Sequence, residues 1–208
     1  MDSPFPPEHI FTWTDLVHLI KSKQVDSLAR TPTQLDEYHQ WINDMRQIYC
    51  STGDFIKHIV FGWHMQATAD CTCAISIQPH QATPNKTGTT PNEEATSNPS
   101  TLLYPSADMN QERRLKIRDQ GLKLRAVTPT TTDVRIIIRL NDFPYSLEQD
   151  ITHYCLWSTH ALNEHAIERH LRVSFPGRVF DEDLIWFMNP EHRKSIRDVW
   201  HVHVFIRK

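Results

Sequence analysis

The carboxy-terminal segment of the chain alternates strictly between two kinds of side chain, and this pattern constrains the fold more than any other segment. His201 and His203 occupy alternate positions, and Val202 and Val204 follow them. Because successive side chains of a strand point to opposite faces, the pattern predicts a strand with two imidazoles on one face and an aliphatic stripe on the other. Paired imidazoles can bind a metal, hold a phosphate or share a proton, so we expect the chemistry of this protein here.

The first seventy residues predict three amphipathic helices, because their apolar residues recur at spacings of three and four. Thr12 or Thr14 is expected to cap the first helix, and Thr33 the second. The third is expected to begin near Ser51 or Thr52. Helices of this kind can pack on one another or cover one face of a sheet.

The second half of the chain predicts four strands and one helix. The strands are expected at Val134–Leu140, His153–Trp157, Leu184–Met188 and Trp200–Arg207, and the helix at Asn163–Ser174. Together the two halves predict an α+β fold, in which a helical N-terminal half packs on a mainly antiparallel sheet of about four or five strands. A chain of 208 residues fits a single domain, residues 1–208.

Residues 78–110 interrupt this organisation. Between Gln81 and Asn110, 18 of 30 residues are Thr, Ser, Asn, Pro or Gly, and no apolar period is present. Such a segment cannot bury enough apolar area to offset its ordering entropy, so we expect a disordered polar insert. The charged stretch Gln111–Ala126 that follows predicts a helix that gives way to a strand.

Composition excludes several classes of protein. The net charge of −3 argues against general nucleic-acid binding. No apolar stretch is long enough to span a bilayer, and the amino terminus lacks the pattern of a secretory signal. The four cysteines are too few and too irregular for a disulfide framework, and Cys71 and Cys73 fit neither zinc-ribbon nor thioredoxin spacing. We therefore expect reduced thiols and a location in the cytosol or the nucleus.

His201 and His203 leave three interpretations open. They could chelate a metal with His153 as a third imidazole, or with a carboxylate from Asp142 or Glu164. They could instead bind a phosphate, one as a cationic anchor and the other as a nucleophile or general acid. In the third interpretation, both are partly buried residues that hydrogen-bond to backbone carbonyls.

Polar residues at strand ends and turns are the candidates for ligand contacts. Asn141 and Asp142 end the isoleucine-rich strand, Asn189 begins a turn, and Ser195 lies in a small basic turn before the histidine strand. With His153 they form the predicted ligand-binding set. The chain has no GxGxxG, GxxxxGK[ST], GxSxG or HExxH motif, and its five glycines make a glycine-rich phosphate loop improbable.

Five segments together resemble one known family. They are Asn141–Tyr145, Asp150–Ser158, Trp186–Pro190, Ser195–Ile196 and His201–Phe205. This set resembles the fungal N-acetylglucosamine-induced protein family, and the resemblance extends over nearly the whole chain outside the polar insert. It implies a fungal intracellular protein linked to the response to amino sugars, and it implies no reaction.

A weaker resemblance is to the histidine-triad nucleotide hydrolases and transferases, whose histidine strand carries three alternating histidines. The parallel positions are Asp142–Pro144, His153–Trp157, Asn163–Ser174, Ser195, and His201 with His203. This chain has two histidines there, with Val199 or Phe205 in place of the third. Depending on how the two patterns are aligned, the nucleophile position falls on His201 or on His203.

The sequence therefore predicts an enzyme that acts on a nucleotide, a nucleotide sugar or another phosphorylated ligand, with catalytic residues His201 and His203. A non-catalytic ligand-binding or regulatory protein of the amino-sugar response is the first alternative. A metal-dependent enzyme with His153, His201 and His203 as ligands is the second. The sequence requires no cofactor, admits a divalent metal, and predicts a small phosphorylated ligand rather than a membrane or a nucleic acid as the partner.

Overall fold

A computed structural model describes residues 4–71, 119–131 and 133–208 of this protein. A side-chain oxygen caps the start of each α-helix in these residues. Within these residues the helices are α1 (Trp13–Lys21), α2 (Pro32–Ile48), α3 (Thr52–Ile59) and α4 (Glu164–Ser174). The residue before each helix accepts a hydrogen bond from a backbone N–H of the first turn; these residues are Thr12, Thr31, Ser51 and Asn163. The predicted insert at 78–110 and most of the helix predicted within Gln111–Ala126 lie outside the described residues.

The prediction for the start of the second helix was wrong. Thr31, not Thr33, caps α2, and Pro32 occupies its first turn. Proline fits there because its fixed φ suits the helix and the N–H that it lacks would have no partner within the helix. The third helix also ends sooner than its apolar pattern indicates, at Ile59. Gly62 follows with a φ of +67°, a conformation that the helix cannot continue through.

Four strands form the main sheet, as predicted. They are β3 (Ile136–Leu140), β4 (Ile151–Ser158), β5 (Leu184–Phe187) and β6 (Trp200–Arg207). Their order is β3-β4-β6-β5, and every neighbouring pair is antiparallel. The two eight-residue strands β4 and β6 lie in the centre, so the histidine strand has a partner on each side.

One face of this sheet packs against α4. Val202 and Val204 of β6 are fully buried there, together with Leu156 of β4 and with Ile167 and Leu171 of the helix. Full burial of an aliphatic side chain contributes about 1.5–3 kcal/mol, so this stripe holds β6 firmly in the sheet. The predicted aliphatic face of the last strand is thus confirmed.

The helical half covers the opposite face in two separate apolar clusters. One cluster includes Trp41 of α2 and Phe55 of α3, packed with Trp157 of β4. The other includes Leu16 of α1, packed with Phe205 of β6. The histidines of the sheet lie between the two clusters, with His201 packed on Trp157 of the first and His203 on Phe187 of the second.

The sequence did not predict the second, two-stranded sheet. It joins β1 (Met65–Thr68) to β2 (Lys123–Ala126) in antiparallel register. The strand predicted at the end of Gln111–Ala126 is confirmed as β2. Strand β1 is short and only partly buried, and its sequence did not predict a strand.

The expectation of reduced thiols is wrong for Cys50 and Cys71, which form a disulfide with a Cα–Cα distance of 5.1 Å. The backbone N–H of Cys50 donates to the carbonyl of Leu124 in β2, and Cys71 comes shortly after β1, the partner of β2. The pairing of β1 with β2 brings the two cysteines together, and the spacing of the cysteines along the chain does not predict this contact. Cys155 is buried and free, and Cys73 lies outside the described residues. Among the described residues, no helix combines the length and apolarity that crossing a bilayer requires.

Candidate functional site

The three histidines predicted from the sequence lie on the face of the sheet that the helical half covers. In the register between β4 and β6, His201 is opposite Trp157 and His203 is opposite Cys155. His153 is two residues before Cys155 and therefore points to the same face. Ring centroids are 5.7 Å apart for His201 and His203, and 5.1 Å apart for His153 and His203. The two central strands thus gather three imidazoles at one place.

A chain of buried hydrogen bonds joins His153, His203 and Asn189. Nε2 of His153 lies 2.9 Å from Nδ1 of His203, and Nε2 of His203 lies 2.8 Å from the side-chain amide of Asn189. The backbone N–H of Tyr145 donates to Nδ1 of His153 over 3.4 Å. Both ring nitrogens of His203 are therefore used within the protein.

Two donors at the ends of this chain bear on the order of its protons. The backbone N–H of Tyr145 faces Nδ1 of His153 over 3.4 Å, which places the proton of that ring on Nε2, toward His203. At the other end, Nδ2 of Asn189 faces Nε2 of His203 over 2.8 Å, and an amide nitrogen can only donate, which places the proton of His203 on Nδ1, toward His153. The two end contacts demand opposite orders, because only one proton fits between the two rings. Oδ1 of Asn189 is buried and has no partner among the described residues.

His201 is held differently, because its Nδ1 lies 2.9 Å from the carbonyl oxygen of Val199. A carbonyl can only accept, so Nδ1 carries the proton and Nε2 keeps its lone pair. No described residue forms a hydrogen bond with this Nε2. The ring packs on Trp157 with centroids 4.6 Å apart, which fixes its orientation. His201 is therefore the imidazole of the three with an available basic nitrogen.

A cavity of about 140 Å³ opens beside these rings, and we call it the histidine cavity. His201 and His203 form part of its wall, whereas His153 lies behind the wall and is 3% exposed. The predicted residues Asn141, Asp142, Asn189 and Ser195 also line it. Arg193, from the basic turn around Ser195, also lines it. Residues that the sequence did not single out for a ligand complete the polar part of the wall: Arg30, Tyr38 and Tyr145.

Arg30 places a positive charge at the wall of the cavity. Its Nε and Nη2 donate to the carbonyl oxygen of Phe143 at 3.0 and 2.7 Å. The guanidinium lies 4.3 Å from the ring centroid of Tyr38 and 5.4 Å from that of Tyr145. Within the described part of the chain, no carboxylate lies within ion-pair distance of Arg30. Arg193 adds a second cation, which donates to the carbonyl of Leu28 over 2.7 Å.

The buried groups behind this wall are uncharged. Burial lowers the pKa of His153 and of His203 well below the usual value, and the positive charge of Arg30 lowers both further. Burial also lowers the pKa of His201, against the hydrogen bond to Val199, which raises it. Burial raises the pKa of the Cys155 thiol to about 12, against the charge of Arg30. The charge at the site therefore comes from the wall of the cavity, where Arg30 and Arg193 lie with the carboxylate of Asp142, and Arg193 also pairs with Asp26 across 3.9 Å.

The residues that could hold a metal differ in part from the predicted set. His153, Cys155 and His203 offer donor atoms that all lie within 4.8 Å of one another, and all three residues are buried. Cys155 takes the place in this group that the sequence assigned to His201. Glu164, a candidate carboxylate ligand, begins α4 on the opposite face of the sheet and does not reach the histidines.

A wider groove of about 810 Å³ lies elsewhere, between α1 and the edge of the sheet near Asp181. Its wall carries Lys21 and Asp181, which pair with each other across 3.1 Å with half of each side chain exposed. None of the three sheet histidines borders it. The smaller histidine cavity is the better candidate because buried polar groups converge on it.

Comparisons with known proteins identify relatives of this chain. The family model described as "Protein of unknown function (DUF3605)" matches residues 12–207. "N-acetylglucosamine-induced protein 1" of Candida albicans is 23% identical over 215 residues, which span 95% of this chain and 68% of the relative. "Uncharacterized protein YPL067C" of Saccharomyces cerevisiae is 26% identical over 117 residues, which span 48% of this chain and 59% of that protein.

A solved structure described as "Crystal Structure of HTC1" aligns with 95% of this chain and 85% of its own, at a TM-score of 0.47 and 14% identity. The match to the N-acetylglucosamine-induced protein supports the first resemblance stated from the sequence. None of these matches refers to histidine-triad proteins, so the second resemblance stays a prediction.

Proposed function

The chain belongs to the DUF3605 family of proteins of unknown function, and we propose that it is an enzyme that acts on a small phosphorylated ligand in the histidine cavity. One observation carries the proposal. His201 offers a free Nε2 to a cavity whose wall also holds the guanidinium of Arg30. A base beside a fixed cation is an arrangement that phosphoryl chemistry uses.

The guanidinium of Arg30 favours an anion in the cavity, whose wall also holds the carboxylate of Asp142. Arg30 is half-buried, and both of its hydrogen bonds to described residues go to a neutral carbonyl. A guanidinium with donors to spare is suited to bidentate contact with phosphate oxygens. Asn141 and Ser195 add polar groups that can hydrogen-bond to the rest of a ligand.

The size of the cavity favours the smaller of the predicted ligands. Drug-sized ligands occupy sites of about 300–1,000 Å³, and the histidine cavity measures about 140 Å³. A phosphate group with one attached sugar suits this volume better than a nucleotide sugar. The relative from Candida albicans is named for induction by N-acetylglucosamine, and this makes an amino-sugar phosphate the first ligand to test.

In the proposed reaction, Nε2 of His201 takes a proton from the attacking water as the water oxygen bonds to phosphorus. The bond from phosphorus to the leaving oxygen breaks, the leaving oxygen takes a proton from solvent water, and His201 returns its own proton to solvent. Arg30 stabilises the charge on the phosphoryl oxygens. Such a base contributes about 10²–10⁴-fold to the rate.

Ligand binding tests the first half of the proposal. Isothermal titration with inorganic phosphate and with N-acetylglucosamine 6-phosphate should show binding. Arg30→Gln should weaken it about 10- to 100-fold, because a hydrogen bond to a charged group contributes about 1.5–3 kcal/mol. Arg169→Gln, on the exposed side of α4, is the matched control and should bind like the unaltered protein. Equal affinity of both variants would refute an anion site at Arg30.

Turnover tests the second half. Phosphate release from the bound ligand, followed by ³¹P NMR, should fall about 10²–10⁴-fold in His201→Asn while the affinity for the ligand changes little. His165→Asn, on the exposed side of α4, serves as the control. Unchanged turnover in His201→Asn would refute the catalytic role.

A second candidate function is non-catalytic sensing of the same ligand. The observation that favours it is that both ring nitrogens of His203 are used within the protein, so a single imidazole remains for chemistry. The sensing alternative expects the binding results above with no turnover of any bound phosphate ester. Thermal stabilisation by ligand without release of phosphate would select it.

A further inference from the structure

We propose that His153, Cys155 and His203 form a zinc site at the wall of the histidine cavity. The donor atoms are Nε2 of His153, Sγ of Cys155 and Nδ1 of His203. They come from the two central strands, β4 and β6, and all lie within 4.8 Å of one another. Neither the proposed function nor the metal set predicted from the sequence includes Cys155.

The spacing of the donor atoms is close to what zinc requires. Nε2 of His153 and Nδ1 of His203 are 2.9 Å apart, and Sγ of Cys155 is 3.9 Å from that Nδ1. Zinc holds nitrogen at about 2.0 Å and sulfur at about 2.3 Å, so donor atoms around a tetrahedral ion lie about 3.3–3.5 Å apart. The nitrogens would separate and the sulfur approach by about 0.5 Å each, which side-chain rotation can supply.

Binding requires a lone pair on each of the three donor atoms. The thiol of Cys155 loses its proton to solvent and binds as the thiolate. The proton of His153 then lies on Nδ1, which costs the hydrogen bond from the backbone of Tyr145; that bond is long, at 3.4 Å, so its loss costs little. The proton of His203 then lies on Nε2, toward the side chain of Asn189, whose amide turns so that Oδ1 accepts it.

Two further features favour a metal here. Nε2 of His203 lies 2.8 Å from the side chain of Asn189, so in the metal-bound ring Asn189 is an outer partner of the kind that orients a ligating histidine. Cys155 and His203 line the cavity, so a fourth position of the ion would face the cavity and could hold water or ligand. No methionine is part of the described wall of the cavity, and this favours zinc over a blue-copper site with an axial thioether.

Metal analysis of tag-free, full-length protein tests the site directly. Protein exposed to zinc and then dialysed should retain one zinc ion per chain. Cobalt in its place should produce a thiolate-to-cobalt charge-transfer band, which only a sulfur ligand generates. Cys155→Ser should lose the band and the tightly held zinc, Asn189→Leu should bind zinc about 10- to 100-fold more weakly, and the control His165→Asn should match the unaltered protein.

Spectroscopy of the unaltered protein keeps the test decisive if the variants do not fold. X-ray absorption at the zinc edge should show about one sulfur at ~2.3 Å and two imidazole nitrogens at ~2.0 Å. Absence of retained metal, or a first shell without sulfur, would overturn the inference. His201→Asn and Arg30→Gln should keep the zinc, so failure of the proposed function and failure of the zinc site are distinguishable.

Discussion

Replacement of His203 by leucine tests the hydrogen-bond chain on which the description of the site depends. His203 touches two buried polar partners, Nε2 of His153 at 2.9 Å and the amide of Asn189 at 2.8 Å. These partners are only 3% and 8% exposed, so water cannot replace the lost hydrogen bonds easily. Leucine has a comparable volume and offers neither a donor nor an acceptor.

The magnitude follows from the two orphaned partners. A buried polar group without its partner costs about 1–3 kcal/mol, so two cost about 4 kcal/mol. The additional apolar burial of leucine returns about 1 kcal/mol. The free energy of unfolding should therefore fall by about 3 kcal/mol, a large share of the typical 5–15 kcal/mol. His203→Gln keeps a donor and an acceptor and should lose only about 1 kcal/mol.

Urea unfolding followed by tryptophan fluorescence measures this change, with chelator present so that bound metal does not contribute. The double variant His203→Leu with Asn189→Leu removes one orphan, so it should be about 1–3 kcal/mol more stable than the sum of the single effects predicts. Additive effects within about 0.5 kcal/mol would refute the hydrogen bond between the two residues. A His203→Leu variant as stable as the parent would refute the whole chain.

Three further predictions concern the scaffold of the site. Gly53→Ala places a Cβ only 1.8 Å from Oδ1 of Asp198, so thermal unfolding should show a loss of about 1–3 kcal/mol, and adding Asp198→Ala should restore part of it. Asp15→Asn should destabilise α1 by about 0.5–1 kcal/mol at neutral pH. Burial raises the pKa of Asp15, but hydrogen bonds from its capping partners outweigh this and lower it. The stability that Asp15 contributes is therefore lost as the pH falls through that lowered pKa, and the deficit in melting temperature of Asp15→Asn should vanish there. A deficit that does not change with pH would contradict the role of the Asp15 carboxylate in capping. Reduction of the Cys50–Cys71 disulfide, whose cysteines are 21 residues apart, should lower the free energy of unfolding by about 3 kcal/mol, whereas a double serine variant should not respond to reductant.

Short-range sequence patterns predict much of the fold. The alternation of His201 to Phe205 predicted β6 because side chains of a strand alternate whatever surrounds them. The oxygens of Thr12 and Ser51 predicted helix starts because capping involves only the next three residues. Even so, Thr31 rather than Thr33 caps α2, because Thr31 and Gln34 form a reciprocal capping box and Pro32 suits the first helical position, two local signals that the prediction did not use.

The sequence predicted only some of the residues that line the histidine cavity. Asn141, Asn189 and Ser195 were found because polar residues next to strands suggest ligand contacts. Arg30 was missed because it lies alone before a helix, 113 residues from Phe143, the residue whose carbonyl holds it. A single arginine forms no sequence motif. Tertiary packing, and not the spacing of residues along the chain, brings its partner Phe143 beside it.

The sequence by itself determined that two imidazoles share one face of a strand, because the period of a β-strand is a local property of the backbone. Only the tertiary structure decided what each imidazole can do. Strand register placed Cys155 opposite His203, and the carbonyl of Val199 left Nε2 of His201 free. Burial between two apolar clusters then kept the imidazoles neutral, because removal of water penalises the charged form. These outcomes depend on groups far apart in the chain, and no local pattern encodes them.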